Sequence, residues 1–335
     1  MGCGALSVET AVDGSAPAGS YPGLVLAVDG GNSKTDVVLA AADGAVLAQA
    51  RVGPFTPQST GVQDALDTVA KAVEQIRAQL SLTEDAPLAQ HVSAFVAGAD
   101  LPQEEAVLAE AFSVRGWAES VEVGNDTFAV LRAGASHPWG VAVVCGAGIN
   151  CVGIAPDGRR ARYPAIGELS GDWGGGGSLS RAAIFTAVRG EDGRGPRTAL
   201  SAAVAAHFGT GTAVDAAVAF HLGTFAEERL HELPPLLMRV AAAGDAAAFE
   251  IVDRQAQEIV GWARATLRQL GLMELDAEVV LGGGVLRAAP PVLMDRIAEL
   301  AREQIPAARL VVPTGKPIHG AVLLGLDRLR TALAS

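Results

Sequence analysis

The sequence predicts an α/β protein made of two duplicated lobes with a cleft between them. One order of elements, three short strands and then alternating helices and strands, occurs twice, over residues 24–133 and again over residues 140–333. A glycine turn follows the first strand of each half, at Gly30-Gly31 and at Gly146-Ala147-Gly148. Duplicated lobes with such turns predict an active site in the interlobe cleft, which lobe closure would shield from water.

Composition limits the classes of protein that the chain can represent. Its 335 residues, 50% of them hydrophobic, are enough for two domains with large cores. The net charge of -12 argues against a nucleic-acid partner, because phosphate backbones bind basic surfaces. No apolar run reaches the ~18 residues of a membrane span, and the first residues lack the basic start of a signal peptide. We therefore expect no membrane partner and a cytoplasmic location.

The three cysteines do not form a recognisable framework. Cys3, Cys145 and Cys151 show neither a Cys-x-x-Cys pair nor the Cys and His spacing of a zinc site. Cys145 and Cys151 are instead predicted to be small core residues.

The first half follows the order βββαβαβα. Residues 24–39 are two apolar runs joined by a tight turn, and a third strand is predicted at 45–52. Apolar residues three and four positions apart then predict an amphipathic helix over 61–80. Further strands and helices alternate at 92–96, 103–112, 120–123 and 127–133.

The second half repeats this order around a helical insertion. Its predicted strands and helices lie at 140–145, 149–155, 160–163, 278–281, 291–304, 309–312 and 318–333, with the helical insertion at 178–271. We therefore divide the chain into a flexible tail, an N-terminal lobe completed by the last helix, and a C-terminal lobe that carries the insertion. These parts span residues 1–20, residues 21–136 with 318–335, and residues 137–317.

The first glycine turn suits a magnesium–polyphosphate complex. Gly30 and Gly31 let the backbone approach an anion, and Asn32, Ser33 and Thr35 add hydrogen-bond donors. Asp29 is placed to hold a metal ion or its bound water. The alternative is an ordinary hairpin turn. The common phosphate-loop motif is excluded, because Ser33 rather than glycine precedes Lys34.

Asp126 is the candidate catalytic residue of the first half. It lies where a buried strand ends and a helix begins, so rigid elements would aim it into the cleft. The alternative is that Asn125 and Asp126 only cap this helix.

Three further glycine-rich segments each have a functional and a structural interpretation. Residues 145–150 could surround phosphates while Asn150 reaches a substrate hydroxyl, or they could be a simple hairpin turn. Residues 167–178 could grip sugar hydroxyls through Glu168 and Asp172, although four consecutive glycines are typical of a flexible linker. Residues 282–284 could admit a flat group such as adenine, or could be a helix-entry turn.

The ordered set of these motifs resembles the actin, hexokinase and heat-shock-chaperone ATPase superfamily, and within it the BadF/BadG/BcrA/BcrD ATPase and N-acetylglucosamine kinase family. Residues 28–35 match the first phosphate motif, residues 144–150 resemble the second, and residues 281–285 resemble the adenosine motif. Asn125-Asp126-Thr127 matches the position of the catalytic aspartate, and Gly171-Asp172 matches the sugar-binding segment. The resemblance covers the chain from about Leu24 onward and implies RNase H-like lobes.

The resemblance also implies a role for each matching residue. Asp126 would be the base on the sugar hydroxyl, and Asp29 would lie near Mg²⁺. The residues implied in ATP binding are Gly30, Gly31, Asn32, Ser33, Lys34, Thr35, Gly146, Ala147, Gly148, Gly283 and Gly284. Those implied in sugar binding are Asn125, Asp126, Asn150, Gly167, Glu168 and Asp172. Related kinases are often homodimers.

The implied activity is ATP- and magnesium-dependent phosphorylation of the 6-hydroxyl of N-acetylglucosamine or a related amino sugar. Pro57-Gln58 replaces the usual asparagine of the acetyl pocket, so glucosamine and other hexoses stay open. Trp173 and Gly174 also replace family residues after Asp172, which leaves the sugar contacts of Glu168 and Trp173 open. A non-catalytic sugar sensor is a further alternative. A transcription regulator would need a basic DNA-binding segment, and a dehydratase activator would need cluster-binding cysteines.

Overall fold

The computed structural model describes residues 23–82 and 86–334, so the predicted tail at residues 1–20 and Cys3 lie outside the described residues. Within those ranges the chain forms two five-stranded mixed sheets with helices on their faces. In each sheet the first strand of that half lies at the centre, the second and third strands follow on one side, and the fourth and fifth strands follow on the other. The two sheets therefore repeat one topology, which confirms the predicted duplication.

The first sheet begins with an antiparallel meander and continues with parallel strands. The elements are β1 Val25–Gly30, β2 Thr35–Ala40, β3 Val46–Val52, α1 Pro57–Thr60, α2 Val62–Leu80, β4 Ala89–Val96, α3 Pro102–Val114, β5 Ala118–Asn125 and α4 Asp126–Gly134. β1 pairs antiparallel with β2 and parallel with β4, and β4 pairs parallel with β5. The predicted apolar positions of α2, including Leu66, Val69 and Ile76, are buried on the outer face of this sheet.

The second sheet follows the same plan around a helical insertion. Its elements are β6 Gly140–Cys145, β7 Ile149–Ile154, β8 Arg160–Arg162, α5 Gly175–Asp192, α6 Ala199–Phe208, α7 Ala213–His221, α8 Leu233–Ala242, α9 Ala246–Leu270, β9 Glu278–Gly282, α10 Gly284–Arg287, α11 Pro291–Gln304, β10 Arg309–Val311 and α12 Pro317–Ala334. Short 3-10 helices lie at Gly167–Ser170 and Glu227–Glu232. Cys145 and Cys151 are fully buried in this core, as predicted.

Helices α4 and α12 pack between the two sheets and join them. Apolar side chains of both helices share one buried cluster with residues of β1, β6 and β9. The two helices approach so closely that a Cβ on Gly320 would lie 1.9 Å from the carbonyl oxygen of Ala129. The Ser93 hydroxyl of β4 also donates to the carbonyl of Ala321, at 2.7 Å. The last helix therefore packs on the first sheet, although it follows the second sheet in the chain.

Parallel strands direct their carboxyl ends to one edge of each sheet, where ligands bind in open α/β folds. In the first sheet the residues at this edge are Asp29 and Gly30 of β1, the loop after β4 and Asn125 of β5. In the second sheet they are Cys145 of β6 and Gly282 of β9. The polarity of the strands therefore places the glycine turns of both halves at the edge of each sheet where ligands bind.

Helical length and hydropathy bear on membrane insertion. Among the residues that the structure describes, no individual helix has both the length and the apolar character needed to cross a bilayer. The bent pair α6 and α7 meets the test only when its two helices, 52° apart, are taken together.

Candidate active site

A cavity of about 990 Å³ brings all four predicted glycine segments together. Its lining includes Asn32 and Ser33 of the first turn, Gly146 and Ala147 of the second turn, Gly176 of the four-glycine run and Gly284 of the third segment. These residues come from both lobes. The volume is in the range that holds a nucleotide-sized ligand.

The far wall of the cavity is apolar and comes largely from the helical insertion. Pro234, Pro235 and Met238 of α8 lie on this wall, and Val285 and Ala288 add further apolar surface to the lining. Two apolar surfaces suit a flat ring such as adenine. In the sequence the two prolines indicate only a break between helices, since no neighbouring residue shows that the insertion returns to the glycine turns.

The first turn presents only part of its predicted set to the cavity. Asn32 and Ser33 are exposed there, whereas Thr35 is fully buried and its hydroxyl donates to the carbonyl of Gly53 at 2.9 Å. The Lys34 ammonium pairs with Asp36 at 3.2 Å. Gly30 has no room for a side chain, because a Cβ would lie 2.8 Å from Val96 and 3.0 Å from Phe55.

The four-glycine run is not a linker, so that interpretation is wrong. Gly175, Gly176 and Gly177 are the first residues of α5, and this end of the helix lies against the second turn. The Gly176 N–H donates to the carbonyl of Gly146 at 2.8 Å, and the Gly177 N–H donates to that of Ala147 at 2.9 Å. The glycines allow this close packing, and the N-terminus of α5 adds a positive dipole end beside the cavity.

Gly283 and Gly284 play different parts in the third segment. Gly283 has φ +87°, and a Cβ there would lie 2.2 Å from the carbonyl oxygen of Cys145, so it fits the turn against β6. Gly284 begins α10 and lines the cavity. Gly283 therefore forms the helix-entry turn, and the next residue, Gly284, faces the cavity.

Asp29 is a strongly perturbed carboxyl group at the end of β1. Burial first, and then the negative charges of Asp126 and Asp36, raise its pKa to about 7, against the opposing charges of Lys34 and Arg287. Asp36 lies directly opposite on β2 and is held by Arg51 at 2.5 Å. A buried acid among like charges is a place where a cation is stabilised.

The carboxylate of Asp29 therefore fits a magnesium ion. Within the described residues, no three histidine, cysteine, aspartate or glutamate side chains converge into a preformed metal cage. Mg²⁺ commonly takes one or two protein carboxylates and completes its shell with water and phosphate oxygens, so a single carboxylate is sufficient.

Asp126 is the first residue of α4, and Asn125 rather than Asp126 caps the helix. The side chain of Asn125 accepts the N–H of Thr127 at 2.9 Å. Asp126 is half-buried, and burial raises its pKa to about 6 even though Thr127 hydrogen bonds to it. The side-chain cap of this helix is therefore Asn125, and the catalytic role of Asp126 stays a prediction. A carboxylate with this pKa can accept a proton near neutral pH.

The two asparagines of the predicted sugar site hydrogen bond to each other. The Asn150 amide donates to the side-chain oxygen of Asn125 at 3.2 Å, and this contact joins β7 of one lobe to β5 of the other. Asn150 also accepts its neighbour's N–H, from Cys151, at 2.7 Å. Asn125 is only 4% exposed, so it holds the site together from inside rather than facing the cleft.

The segment with Gly167, Glu168 and Asp172 forms a compact loop. One carboxylate oxygen of Asp172 accepts the Gly167 N–H at 3.1 Å and the Ser170 hydroxyl at 2.5 Å, while its other oxygen is buried and has no hydrogen-bond partner among the described residues. Glu168 is exposed. Trp173 lies under the guanidinium of Arg254, 4.0 Å from the ring centroid. Asp172 therefore organises its own loop in this conformation.

Two residues near Asp126 were missed in the sequence analysis. Asp100 follows β4 and its carboxylate accepts the Asn125 amide at 2.7 Å. Arg162 of β8 reaches from the other lobe and donates to the carbonyl of Asp100 at 2.6 Å. An available signal was the position of Gly98-Ala99-Asp100 directly after a parallel strand. No local signal marked Arg162, because its partners are far away in the chain.

Gln58 lies beside the same loop. A Cβ on Gly98, which has φ +77°, would lie 2.6 Å from the side-chain oxygen of Gln58. The Pro57-Gln58 segment that departs from the family pattern thus contacts the loop that carries Asp100.

Comparison with known proteins agrees with this geometry. The model of the BadF/BadG/BcrA/BcrD ATPase family matches residues 26–325. An N-acetylmuramic acid/N-acetylglucosamine kinase of Clostridium acetobutylicum is 22% identical over 300 residues, covering 90% of this chain and 97% of the relative. An N-acetyl-D-glucosamine kinase of Dictyostelium discoideum is 24% identical over 315 residues, covering 91% and 98%.

Solved structures share the fold. A Chromobacterium violaceum protein described as a candidate N-acetylglucosamine kinase superposes with a TM-score of 0.69 at 25% identity, covering 90% of this chain and 98% of that one. A ROK family glucokinase of Streptomyces griseus, solved with glucose and AMPPNP, gives a TM-score of 0.54 at 18% identity, covering 91% and 100%. The two-lobed fold of sugar kinases is thereby confirmed for this chain.

Proposed function

The chain belongs to the BadF/BadG/BcrA/BcrD ATPase family, and we propose that it is an ATP-dependent sugar kinase. It transfers the γ-phosphate to the 6-hydroxyl of N-acetylglucosamine or a related amino sugar. The observation that carries this proposal is the half-buried carboxylate of Asp126, with a pKa raised to about 6, at the first residue of α4, the helix that packs between the two sheets. The two relatives are named as kinases of N-acetylglucosamine, and these names are the reason for proposing an amino sugar as the acceptor.

The proposed reaction is a displacement at phosphorus. Asp126 accepts the proton of the sugar hydroxyl, the hydroxyl oxygen forms a bond to the γ-phosphorus, and the bond from that phosphorus to the bridging oxygen breaks to release ADP. The glycine turns hold the phosphates through backbone N–H groups, and the apolar wall at Met238 receives the adenine. Mg²⁺ near Asp29 would neutralise charge on the phosphates.

The proposal includes the setting of the enzyme. We infer a cytoplasmic homodimer without a nucleic-acid or membrane partner, on the strength of the family resemblance and the net charge of -12. Light scattering coupled to size-exclusion chromatography measures the mass directly. A mass near the 34.0 kDa of one chain would contradict the dimer.

A sugar screen tests the enzyme class and the acceptor together. With ATP and Mg²⁺ we expect ADP release in a coupled assay to depend on added N-acetylglucosamine or another amino sugar, with the product phosphorylated at the primary hydroxyl. If only glucosamine or a neutral hexose is turned over, the proposed acceptor is wrong and the assignment as a sugar kinase is supported. Sugar and ATP binding without turnover would identify the non-catalytic sensor and contradict the kinase proposal.

Asp29→Ala should raise the Mg²⁺ concentration that gives half-maximal activity by about tenfold or more. The variant loses the carboxylate that attracts the ion, while the phosphates of ATP still bring magnesium into the cleft. A magnesium titration at fixed ATP measures the change. Asp64→Ala is the matched control, because Asp64 is exposed on α2. An unchanged titration for Asp29→Ala would remove Asp29 from the metal site.

A further inference from the structure

Asp100 has a carboxylate that the fold does not use for capping. It stands one residue before Leu101, the N-cap residue of α3. The capping contacts at this helix start come from Glu104, whose side chain accepts the N–H of Asp100 at 3.0 Å and that of Leu101 at 2.9 Å. The Asp100 side chain is therefore free of the helix that follows it.

The environment of this carboxylate is unfavourable to its charge. Burial, followed by the negative charges of Asp126 and Glu104, raises the pKa of Asp100 to about 6. One oxygen accepts the Asn125 amide at 2.7 Å, and within the described residues no donor reaches the other. Half-buried acids crowded by like charges concentrate at functional sites.

Contacts from three other elements fix the loop of Asp100 beside Asp126. Asn125, which holds the Asp100 side chain, is the neighbour of Asp126 in the chain. Arg162 of the opposite lobe donates to the Asp100 carbonyl at 2.6 Å and pairs with Glu105 of α3 at 2.5 Å. Gln58 of α1 lies against Gly98 at the start of the loop. The position of Asp100 thus depends on both lobes.

We propose that Asp100 is a second acceptor-binding carboxylate, whose free oxygen accepts hydrogen bonds from hydroxyl or N–H groups of the sugar that Asp126 deprotonates. This inference rests on the proposed function. The acceptor it fits is a polyhydroxylated sugar with hydrogen-bond donors besides the reacting hydroxyl, because an ionised carboxylate only accepts hydrogen bonds. Asp100 orients the acceptor, and Asp126 carries out the proton transfer.

The test is Asp100→Asn, which keeps the shape of the side chain and removes its charge. We expect KM for the best sugar of the screen to rise at least tenfold, while KM for ATP and kcat stay within about threefold, as for a lost hydrogen bond to a charged group. Asp100→Ala should act in the same direction. Glu122→Gln is the control, since it breaks another interlobe ion pair, with Arg160 at 3.2 Å, and should leave KM unchanged.

Three results would overturn the proposal. A sugar KM unchanged in both Asp100 variants would show that the side chain does not contact the acceptor. Equal rises in the sugar KM and the ATP KM would point to a structural role in joining the lobes. If the wild type turns over no sugar, the proposed function has failed, and calorimetry with N-acetylglucosamine then tests the inference by itself. Weaker binding of the sugar to Asp100→Asn than to the wild type supports the inference. Equal binding to both proteins, or no binding to the wild type, overturns it.

Discussion

Asp126→Asn should lower kcat by two or more orders of magnitude while the affinity for the sugar changes little. The amide keeps the size of the side chain and can still hydrogen bond to a hydroxyl, but it cannot take the proton. Steady-state kinetics with the preferred sugar and calorimetric titration of the same sugar measure the two effects separately. Near-normal turnover would exclude Asp126 as the base.

The same substitution should raise the free energy of unfolding. The folded-state pKa of Asp126, about 6, lies above its ordinary value of 3.8, so the ionised folded protein carries a cost at pH 8 that the unfolded chain does not. A shift of this size corresponds to about 1 to 3 kcal/mol. The cost falls away as the pH drops through 6 and is absent below 3.8, so the gain in Tm should shrink between pH 8 and pH 4.

A matched control separates this effect from a general loss of negative charge. Glu74→Gln removes an equal charge from the exposed middle of α2 and should leave both Tm and kcat unchanged. A lower Tm for Asp126→Asn would mean that the carboxylate stabilises the fold, and the functional explanation of its burial would be wrong. Loss of activity together with a gain in stability is the pattern of a site whose charge is kept for function.

The fold was predictable because its information is local and occurs twice. Short apolar runs, tight turns and the periodic helix α2 each mark their own element, and the repeated order then fixes one topology for both sheets. Asp29 and Asp126 could be found for a related reason. Each stands at the carboxyl end of a parallel strand, so its position follows from the strand and needs no knowledge of distant contacts.

The residues that escaped prediction depend on distant contacts. Asp100 was not predicted, because its partner Asn125 lies 25 residues further along the chain, and Arg162 meets Asp100 only when the second lobe packs against the first. Thr35 was expected to face a phosphate, but its hydroxyl donates to the carbonyl of Gly53, just after β3. A linker stayed open as one interpretation of the four-glycine run, because composition alone cannot show that α5 begins there, against the second turn.

Gly175→Ala should both destabilise the protein and weaken nucleotide binding. Gly175 has φ +77°, and a Cβ there would lie 2.2 Å from the carbonyl oxygen of Gly148, so the first turn of α5 must move away from the second glycine turn. The hydrogen bonds from Gly176 and Gly177 to that turn would be lost with it. We expect a loss of about 3 kcal/mol or more in unfolding free energy and at least a tenfold rise in the Kd for ADP.

Gly193→Ala separates the two causes of this loss, because the glycine at the other end of the same helix has a similar φ of +83° but open space around it. Left-handed backbone strain alone should cost about 1 kcal/mol there and leave ADP binding unchanged. Chemical unfolding and calorimetric titration of both variants make the comparison. If Gly175→Ala behaves like Gly193→Ala, the close packing of α5 on the second turn does not shape the nucleotide site; a larger loss of stability together with weakened binding shows that it does.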